Sequence, residues 1–393
     1  MRIACIGVGQ AGGKITDTLL EWDASRDTDV IEAALAMNTA AADLAGLEYV
    51  PESNRVLYGK AEVNGNGVGA DNELGTHVAQ QDSTTIMNAI NQISGYKVDA
   101  FLLVGGLGGG TGSGGLPVIA RELRQLYTEP VYGLGILPSS DEGSIYTLNA
   151  ARSFQTVVSE VDNLILFDND AWRETTESVS GGYRTMNTEL VRRLNVLFSA
   201  GQVDTSGSPV AENVVDASEI INTLDSGGVS TIGYATAEVD DDSSSGLLGS
   251  VLGDDTDDVD ESHSVNRLHS LTRKATLGRL TTPAAEDTTE RALAVYSGPP
   301  PYLSRKGIER GRSWLKDELQ SMEVRGGDNP VPESEVVSAC VLLSGVTDVS
   351  RIRELQKVAV ETKENREDIR EGSEAELASL VEDEGGQLDP LFE

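Results

Sequence analysis

Gly105-Gly106-Leu107-Gly108-Gly109-Gly110-Thr111-Gly112-Ser113-Gly114-Gly115 is the stretch on which the fold turns. It follows an apolar run, Phe101 to Val104, with the character of a buried strand, and precedes Leu116 to Tyr127, whose pattern predicts a helix. Eight glycines in eleven residues have no packing value, so they are expected to serve backbone freedom and close approach of a ligand. Strand, glycine loop and helix start together aim backbone N–H groups and the positive end of a helix dipole at one point, which suits phosphate. Thr111 and Ser113 add hydroxyl donors. Flexible linkers are also glycine-rich, but apolar periodic segments flank this stretch on both sides. The chain holds no G-x-x-x-x-G-K-[ST], which excludes a P-loop NTPase.

Working outward, short apolar runs alternate with helical segments through the first half, the pattern of a parallel sheet covered on both faces. Strands are expected at Ile3–Ile6, Ala33–Met37, Val56–Tyr58, Phe101–Val104, Val131–Ile136 and Asn163–Phe167, with helices at Gly12–Glu21, Glu73–Ser94 and Ser144–Val161. Leu190, Leu194, Leu197 and Phe198 mark one apolar face of a helix that joins the halves. The second half, with strands at Ala292–Ser297 and Val336–Ser344, reads as a smaller α+β domain. Asp240 to Glu261 is rich in Asp, Ser and Gly and reads as an exposed, mobile loop. The expected organisation is an α/β nucleotide domain over 1–182, a central helix and loop over 183–212, and a second domain over 213–381 whose mobile acidic loop covers 240–262. A short acidic tail follows over 382–393, in which Leu391 and Phe392 offer a docking point.

The 393 residues suffice for two domains with real cores. No apolar stretch is long enough to span a bilayer, and Ile3 to Val8 is too short for a signal peptide. Cys5 and Cys340 sit in apolar strand-like runs and read as buried free thiols of a reducing compartment. The histidines His77, His263 and His269 lack zinc spacing. Net charge is −34, from 64 acidic and 30 basic residues, which argues against nucleic-acid binding. Only 8 of the 30 basic residues are Lys. The strand and helix patterns are too regular for a disordered polyanion, so the balance predicts a folded protein with an acidic surface tuned to high salt.

A second glycine loop, Gly7-Val8-Gly9-Gln10-Ala11-Gly12-Gly13-Lys14, follows the first strand and opens the first helix. Alone, its G-x-G-x-x-G is equally a dinucleotide fingerprint. That use wants an acid about 20 residues on, at the end of the second strand. Met37-Asn38-Thr39 stands there instead, although Glu32 lies in range. An NAD- or FAD-dependent oxidoreductase stays as an alternative, one that leaves residues 105–115 unexplained.

Residues 108–114 match G-G-G-T-G-[SAT]-G, and the chain thereby resembles the tubulin/FtsZ superfamily. The resemblance covers roughly residues 1–360 and implies a Rossmann-like parallel-sheet GTPase domain, a central helix and a smaller α+β C-terminal domain. Carried over motif by motif, it implies nucleotide contacts from Gln10, Ala11, Gly12, Gly13 and Lys14 in the first loop. Asn38, with Thr39, matches the second loop, and Ala70 and Asn72 lie in Gly67-Val68-Gly69-Ala70-Asp71-Asn72, which resembles the loop near the γ-phosphate. Gly108, Gly109, Gly110, Thr111 and Gly112 form the main phosphate loop. Pro138-Ser139-Ser140-Asp141-Glu142-Gly143 resembles P-x-x-x-E-G, whose Glu accepts hydrogen bonds from the ribose hydroxyls. Asn169, Tyr183 and Asn187 match the residues that hold guanine. The implied ligands are GTP and GDP with Mg²⁺, the ion held mainly by phosphates, with Gln10 as an added contact and no dedicated metal ligand. One departure stands out: FtsZ proteins carry Arg four positions after the Glu, where this chain has Tyr146.

None of these loops supplies an acid aimed at the γ-phosphate. In this family the catalytic acids come from the next subunit, and the matching residues are Asp216 and Glu219 in Asn213-Val214-Val215-Asp216-Ala217-Ser218-Glu219. Three apart, they would share one helix face and could orient water for phosphoryl transfer. D-x-x-E before an apolar run is equally a helix cap. The family's asparagine two residues before the Asp is Val214 here, with Asn213 displaced by one. A split site implies head-to-tail contact between copies and open filaments.

Length, composition and the mixed motifs most resemble the archaeal CetZ group, associated with cell shape and motility, and imply a cytoplasmic protein with filaments at the inner membrane face as one location. Membrane or regulatory proteins are candidate partners of the tail. An FtsZ-type division-ring GTPase is the nearest alternative, and a GTP-binding protein that does not polymerise is another.

Overall fold

The computed structural model describes residues 1–26, 28–173, 179–200, 215–239 and 256–361. The apolar runs of the first half become β1 (Ile3–Val8), β2 (Ile31–Asn38), β3 (Arg55–Leu57), β4 (Ala100–Gly106), β5 (Val131–Leu137) and β6 (Asn163–Asp168), all parallel to their neighbours. β1, β5 and β6 are buried along their whole length, as strands covered on both faces must be. The crossovers hold α1 (Gly9–Arg26), α2 (Ala41–Ala45), α3 (Lys60–Val63), α4 (Asn72–Gln81), α5 (Ser83–Ile90), α6 (Gly110–Leu126) and α7 (Ser144–Glu160). After β6 come α8 (Asn169–Trp172) and the long central helix α9 (Val179–Ser199). Leu190, Leu194, Leu197 and Phe198 are all buried, as their spacing predicts. Removing those four side chains from water is worth on the order of 6–12 kcal/mol, which anchors α9 against both halves.

The second half contains α10 (Ala217–Leu224), β7 (Val229–Glu238), α11 (Thr256–Leu277), β8 (Arg291–Gly298), α12 (Arg305–Leu319), β9 (Glu323–Pro330), β10 (Val336–Val346) and a helix over 350–361. Its strands extend the same sheet, in the order β3-β2-β1-β4-β5-β6-β7-β10-β8-β9. The seam is narrow: only Leu164↔Val229 and Ile165↔Ser230 pair β6 with β7. A buried polar cluster reinforces it. Asn163 donates to Ser344 Oγ at 3.0 Å and accepts from Ser230 Oγ at 2.7 Å, while the Ser230 and Ser344 hydroxyls lie 2.7 Å apart. Both cysteines are buried and free, and burial pushes their thiols up to about 12.

Three local expectations change. The helix expected over Glu73–Ser94 is two, α4 and α5, broken at Asp82, which turns back to accept from the Gly59 amide at 2.7 Å. Residues 256–262, expected in the mobile loop, open α11. Residues 240–255 and the tail 382–393 lie outside the described residues.

The third change concerns the glycine run. α6 begins at Gly110 rather than Leu116, so half the run is helical and none of its glycines has positive φ. What they permit is close approach of the protein to itself. A Cβ on Gly110 would lie 2.6 Å from the Gly69 carbonyl oxygen, on Gly112 2.5 Å from that of Gly106, and on Gly114 2.5 Å from the Thr76 nitrogen. Only at Gly109 does nothing stand within 4 Å. Each helical glycine costs about 1 kcal/mol relative to Ala. Close seating of α6 on α4 offsets that, since a Cβ on Gly75 of α4 would meet the Gly110 oxygen at 2.2 Å. Gly75→Ala gains helix propensity but overpacks this contact, by about 1–3 kcal/mol. Its expected result is a thermal midpoint a few degrees lower in molar KCl; an unchanged midpoint by circular dichroism would refute the close-packing account.

Candidate nucleotide site

The loops at the carboxyl ends of the parallel strands form a connected ring. The N-termini of α1 and α6, helices of 18 and 17 residues, meet there: Gly9 (φ 75°) is so close to α6 that a Cβ would be 3.0 Å from the Gly112 nitrogen. The positive ends of two helices thus lie side by side. In the first loop Gln10 is exposed, Ala11 half-buried, and Gly12 and Gly13 buried, with Lys14 exposed one turn into α1. A Cβ on Gly12 would be 2.1 Å from the Val104 carbonyl oxygen, so this glycine seats α1 on β4.

The other phosphate-side loops are bonded to the glycine run. The Thr39 and Thr111 hydroxyls lie 2.8 Å apart, the Gly110 amide donates to the Gly69 oxygen at 3.0 Å, and Asn72 Nδ2 donates to Ser113 Oγ at 2.7 Å. Ser113 Oγ in turn donates to the Gly109 carbonyl. Asn38 is buried and turned onto its own loop, donating to Asp43 at 3.1 Å and accepting from the Ala40 amide at 3.0 Å. Asn149, on α7, donates to the Ala70 oxygen at 2.7 Å and the Gly108 oxygen at 3.0 Å, clamping two loops at once.

In the loops expected to hold ribose and base, Pro138 packs against Gly108, as does Tyr146, the residue in the place of the family's Arg. Gly143 adopts φ 111°, ψ 158°, a conformation open essentially to glycine alone. Glu142 Oε1 accepts from the Ser139 amide at 2.8 Å and from the Tyr183 hydroxyl at 3.1 Å. Burial and the Glu142 carboxylate push the Tyr183 phenol up to about 12, so it stays a donor. Asn187 lies four residues further along α9, on the same face as Tyr183. Asn169 is buried at the start of α8, whose N-cap is Asp168.

Asp216 and Glu219 stand elsewhere. Ala217, next to Asp216, borders the same surface cleft as Met1 and Arg2, which precede β1, whereas the ring is at the other end of that strand. Six residues of strand put roughly 20 Å between them. Asp216 is the N-cap of α10 and accepts from the Glu219 amide at 3.0 Å, so the capping alternative holds structurally. The Ser218 hydroxyl and that amide keep the exposed Asp216 carboxyl below the ordinary range, while burial and Asp216 raise Glu219. Asn213 and Val214 lie outside the described residues.

Sequence reasoning missed Asn149, Asp170 and Arg351. Asn149 and Ser153 are small polar residues, one turn apart, on the buried face of α7, a detectable signal. Asp170 Oδ1 accepts from Ser139 Oγ and Ser140 Oγ at 2.9 Å each and from the Ser140 amide at 3.0 Å, joining the loops after β5 and β6. Arg351 comes from far along the chain and carries no local sequence signal.

Residues 2–177 match the GTPase domain of the tubulin/FtsZ family, and residues 176–361 match the C-terminal domain of tubulin-like CetZ proteins. Tubulin-like protein CetZ1 of Haloferax volcanii is 58% identical over 375 residues, 94% of this chain and 95% of that protein. The solved structure of CetZ1 as a GDP-bound monomer, 55% identical, superposes with a TM-score of 0.82 over 92% of this chain and 100% of that one. CetZ2 of the same organism, solved as a GTPγS-bound protofilament, is 41% identical with a TM-score of 0.82, covering 93% and 100%. With both family models matched and such identity along nearly its full length, the chain belongs to the CetZ group of the tubulin/FtsZ family of cytoskeletal GTPases.

Proposed function

We propose that the chain binds GTP and GDP in the ring of loops, polymerises head to tail, and hydrolyses GTP only at the junction between subunits, in cytoplasmic filaments that govern cell shape. The observation that carries this is the separation of the ring from Asp216 and Glu219 by the length of the sheet. A monomer so built holds nucleotide without its hydrolytic acids, and a second copy stacked end to end supplies them. The GDP-bound CetZ1 and the GTPγS-bound protofilament of CetZ2 support the same reading.

In this scheme the N-termini of α1 and α6, with residues 10–14 and 108–112, cradle the phosphates. Ala70 and Asn72 approach the γ-phosphate. Glu142 accepts from the ribose hydroxyls, Tyr183 stacks on guanine, and Asn169 and Asn187 read its edge. Asp216 of the neighbouring copy, ionised, and Glu219 orient the attacking water. Among the described residues no cluster of three acids, histidines or cysteines offers a metal cage. That donor set suits Mg²⁺ bound chiefly through phosphate oxygens and water, with the exposed Gln10 amide as an additional oxygen donor. The ion would offset charge on the phosphates.

Among the described residues no helix is long and apolar enough to cross a membrane; the tail is proposed as the point of attachment to membrane or regulatory proteins. The match to the CetZ C-terminal domain favours cell shape over a division-ring role and leaves the oxidoreductase alternative without support. The test is light scattering in molar KCl with GTP and Mg²⁺. Scattering should rise and then decay as GTP is consumed. NAD binding without scattering would overturn the proposal.

A further inference from the structure

We infer that Arg351 is a positioning residue that ties the helix over 350–361 to the loops that hold ribose and base. Nucleotide affinity and the order of that helix are then coupled. The inference rests on the nucleotide reading above and adds to it a residue outside every nucleotide loop.

One buried guanidinium reaches both loops. Arg351 Nη2 donates to the Pro138 carbonyl at 2.9 Å, at the opening of the loop that carries Glu142. Its Nε lies 3.5 Å from Asp168 Oδ1 and its Nη1 3.8 Å from Asp170 Oδ2. Nη1 also donates to Glu354 within its own helix at 3.2 Å. Asp168 caps α8, accepting from the Asp170 amide at 3.1 Å, and so sets the position of Asn169 between them. Asp170 holds Ser139 and Ser140 from the other side. Pull the guanidinium away and the two loops, still joined through Asp170, lose their common tie to the helix.

Charge explains why an arginine stands there. Asp168, Asp170 and Glu354 surround the site. Burial already pushes Asp168 up to about 6, and Arg351 is the largest influence holding it down. Without the cation, the buried Asp168 carboxylate would face the exposed Asp170 carboxylate, two residues on, across the start of α8. A planar fork can serve a carbonyl and three carboxylates at once, whereas a lysine ammonium is a single point charge. The helix itself is anchored, with Ile352 and Leu355 buried in the core, so its end bearing Arg351 has a defined place. Because the contact is buried, molar salt screens it far less than a surface pair. Linkage then requires reciprocity: if the helix steadies the loops for nucleotide, nucleotide steadies the helix.

The experiment titrates a fluorescent GDP analogue into dilute, unassembled full-length protein in molar KCl, for wild type, Arg351→Lys and Arg351→Ala. The Kd is expected to rise about five- to tenfold in Arg351→Lys and more in Arg351→Ala, with turnover at saturating GTP within about twofold of wild type in assembled protein. Amide exchange across 350–361 should slow when GDP is added to wild type and not respond in Arg351→Ala. The inference is overturned if Arg351→Lys, melting as wild type does, binds the analogue equally well, or if wild-type exchange across 350–361 ignores GDP. Arg351→Lys decides the matter even where Arg351→Ala does not fold. Wild-type protein that fails to bind the analogue overturns the nucleotide reading itself.

Discussion

Asp216→Ala abolishes GTP turnover while leaving GTP binding and assembly in place: this is the largest effect expected of any single substitution. The residue is near the opposite end of β1 from the proposed nucleotide loops, so its loss does not touch the subunit's own cradle. Under the split-site proposal, what disappears is the charge presented to the next subunit. Removing a positioned acid or base typically costs about 10²–10⁴ in rate. Asp216 is also a helix cap, and losing a cap costs about 1 kcal/mol of stability. Asp216→Asn separates the two roles, because asparagine caps a helix as well as aspartate but cannot carry the charge. The Asn variant should melt with the wild type and be as inactive as the Ala variant. Phosphate release at the normal rate by Asp216→Asn filaments would sink the split-site model.

Desalting should unfold the protein. With a net charge of −34 the folded surface repels itself, and only mobile ions spare it. Between about 1 M and 0.1 M salt the screening length grows from about 3 Å to about 10 Å, enough for neighbouring surface acids to feel one another. Surface pairs such as Arg353–Asp348 relieve this locally, but 30 basic residues cannot neutralise 64 acids. The far-UV helical signal is expected to collapse on dilution from molar KCl to about 0.1 M and to return on adding salt back. A spectrum indifferent to desalting would show that the acidic surface is not tuned to salt.

Much of this molecule is visible in its sequence, and the reasons are physical. The first-half strands are legible because a strand buried on both faces must be apolar throughout, as in Ile3–Val8 and Val131–Leu137. α9 is legible because Leu190, Leu194 and Leu197 repeat at the helical period. The glycine run is visible as a signal but not in its use. Its glycines answer to the protein's own carbonyls across α4 and β4, contacts between segments that no local pattern records. β7 and β9 escaped notice because neither is apolar throughout: β7 is buried only over its first half, and most of β9 is partly exposed. Within the site, the loops could be named one by one, but their bonds to one another could not. Thr39 to Thr111, Asn149 to Ala70 and Arg351 to Pro138 join residues 72, 79 and 213 positions apart.

The narrow seam between β6 and β7 has a mechanical consequence. Longitudinal load in a filament passes from the nucleotide end of each subunit to its opposite end, and part of it crosses from one half of the sheet to the other. Strand to strand, two residue pairs and the Asn163–Ser230–Ser344 cluster bear that crossing, beside α9, the Trp172–Leu280 bond and Arg351. A series of springs is as compliant as its softest member. If this joint is the softest member, the bending of such a polymer is set inside the subunit as well as at the contacts between subunits. Small rotations about it, repeated along a filament, add up to curvature on the scale of a cell.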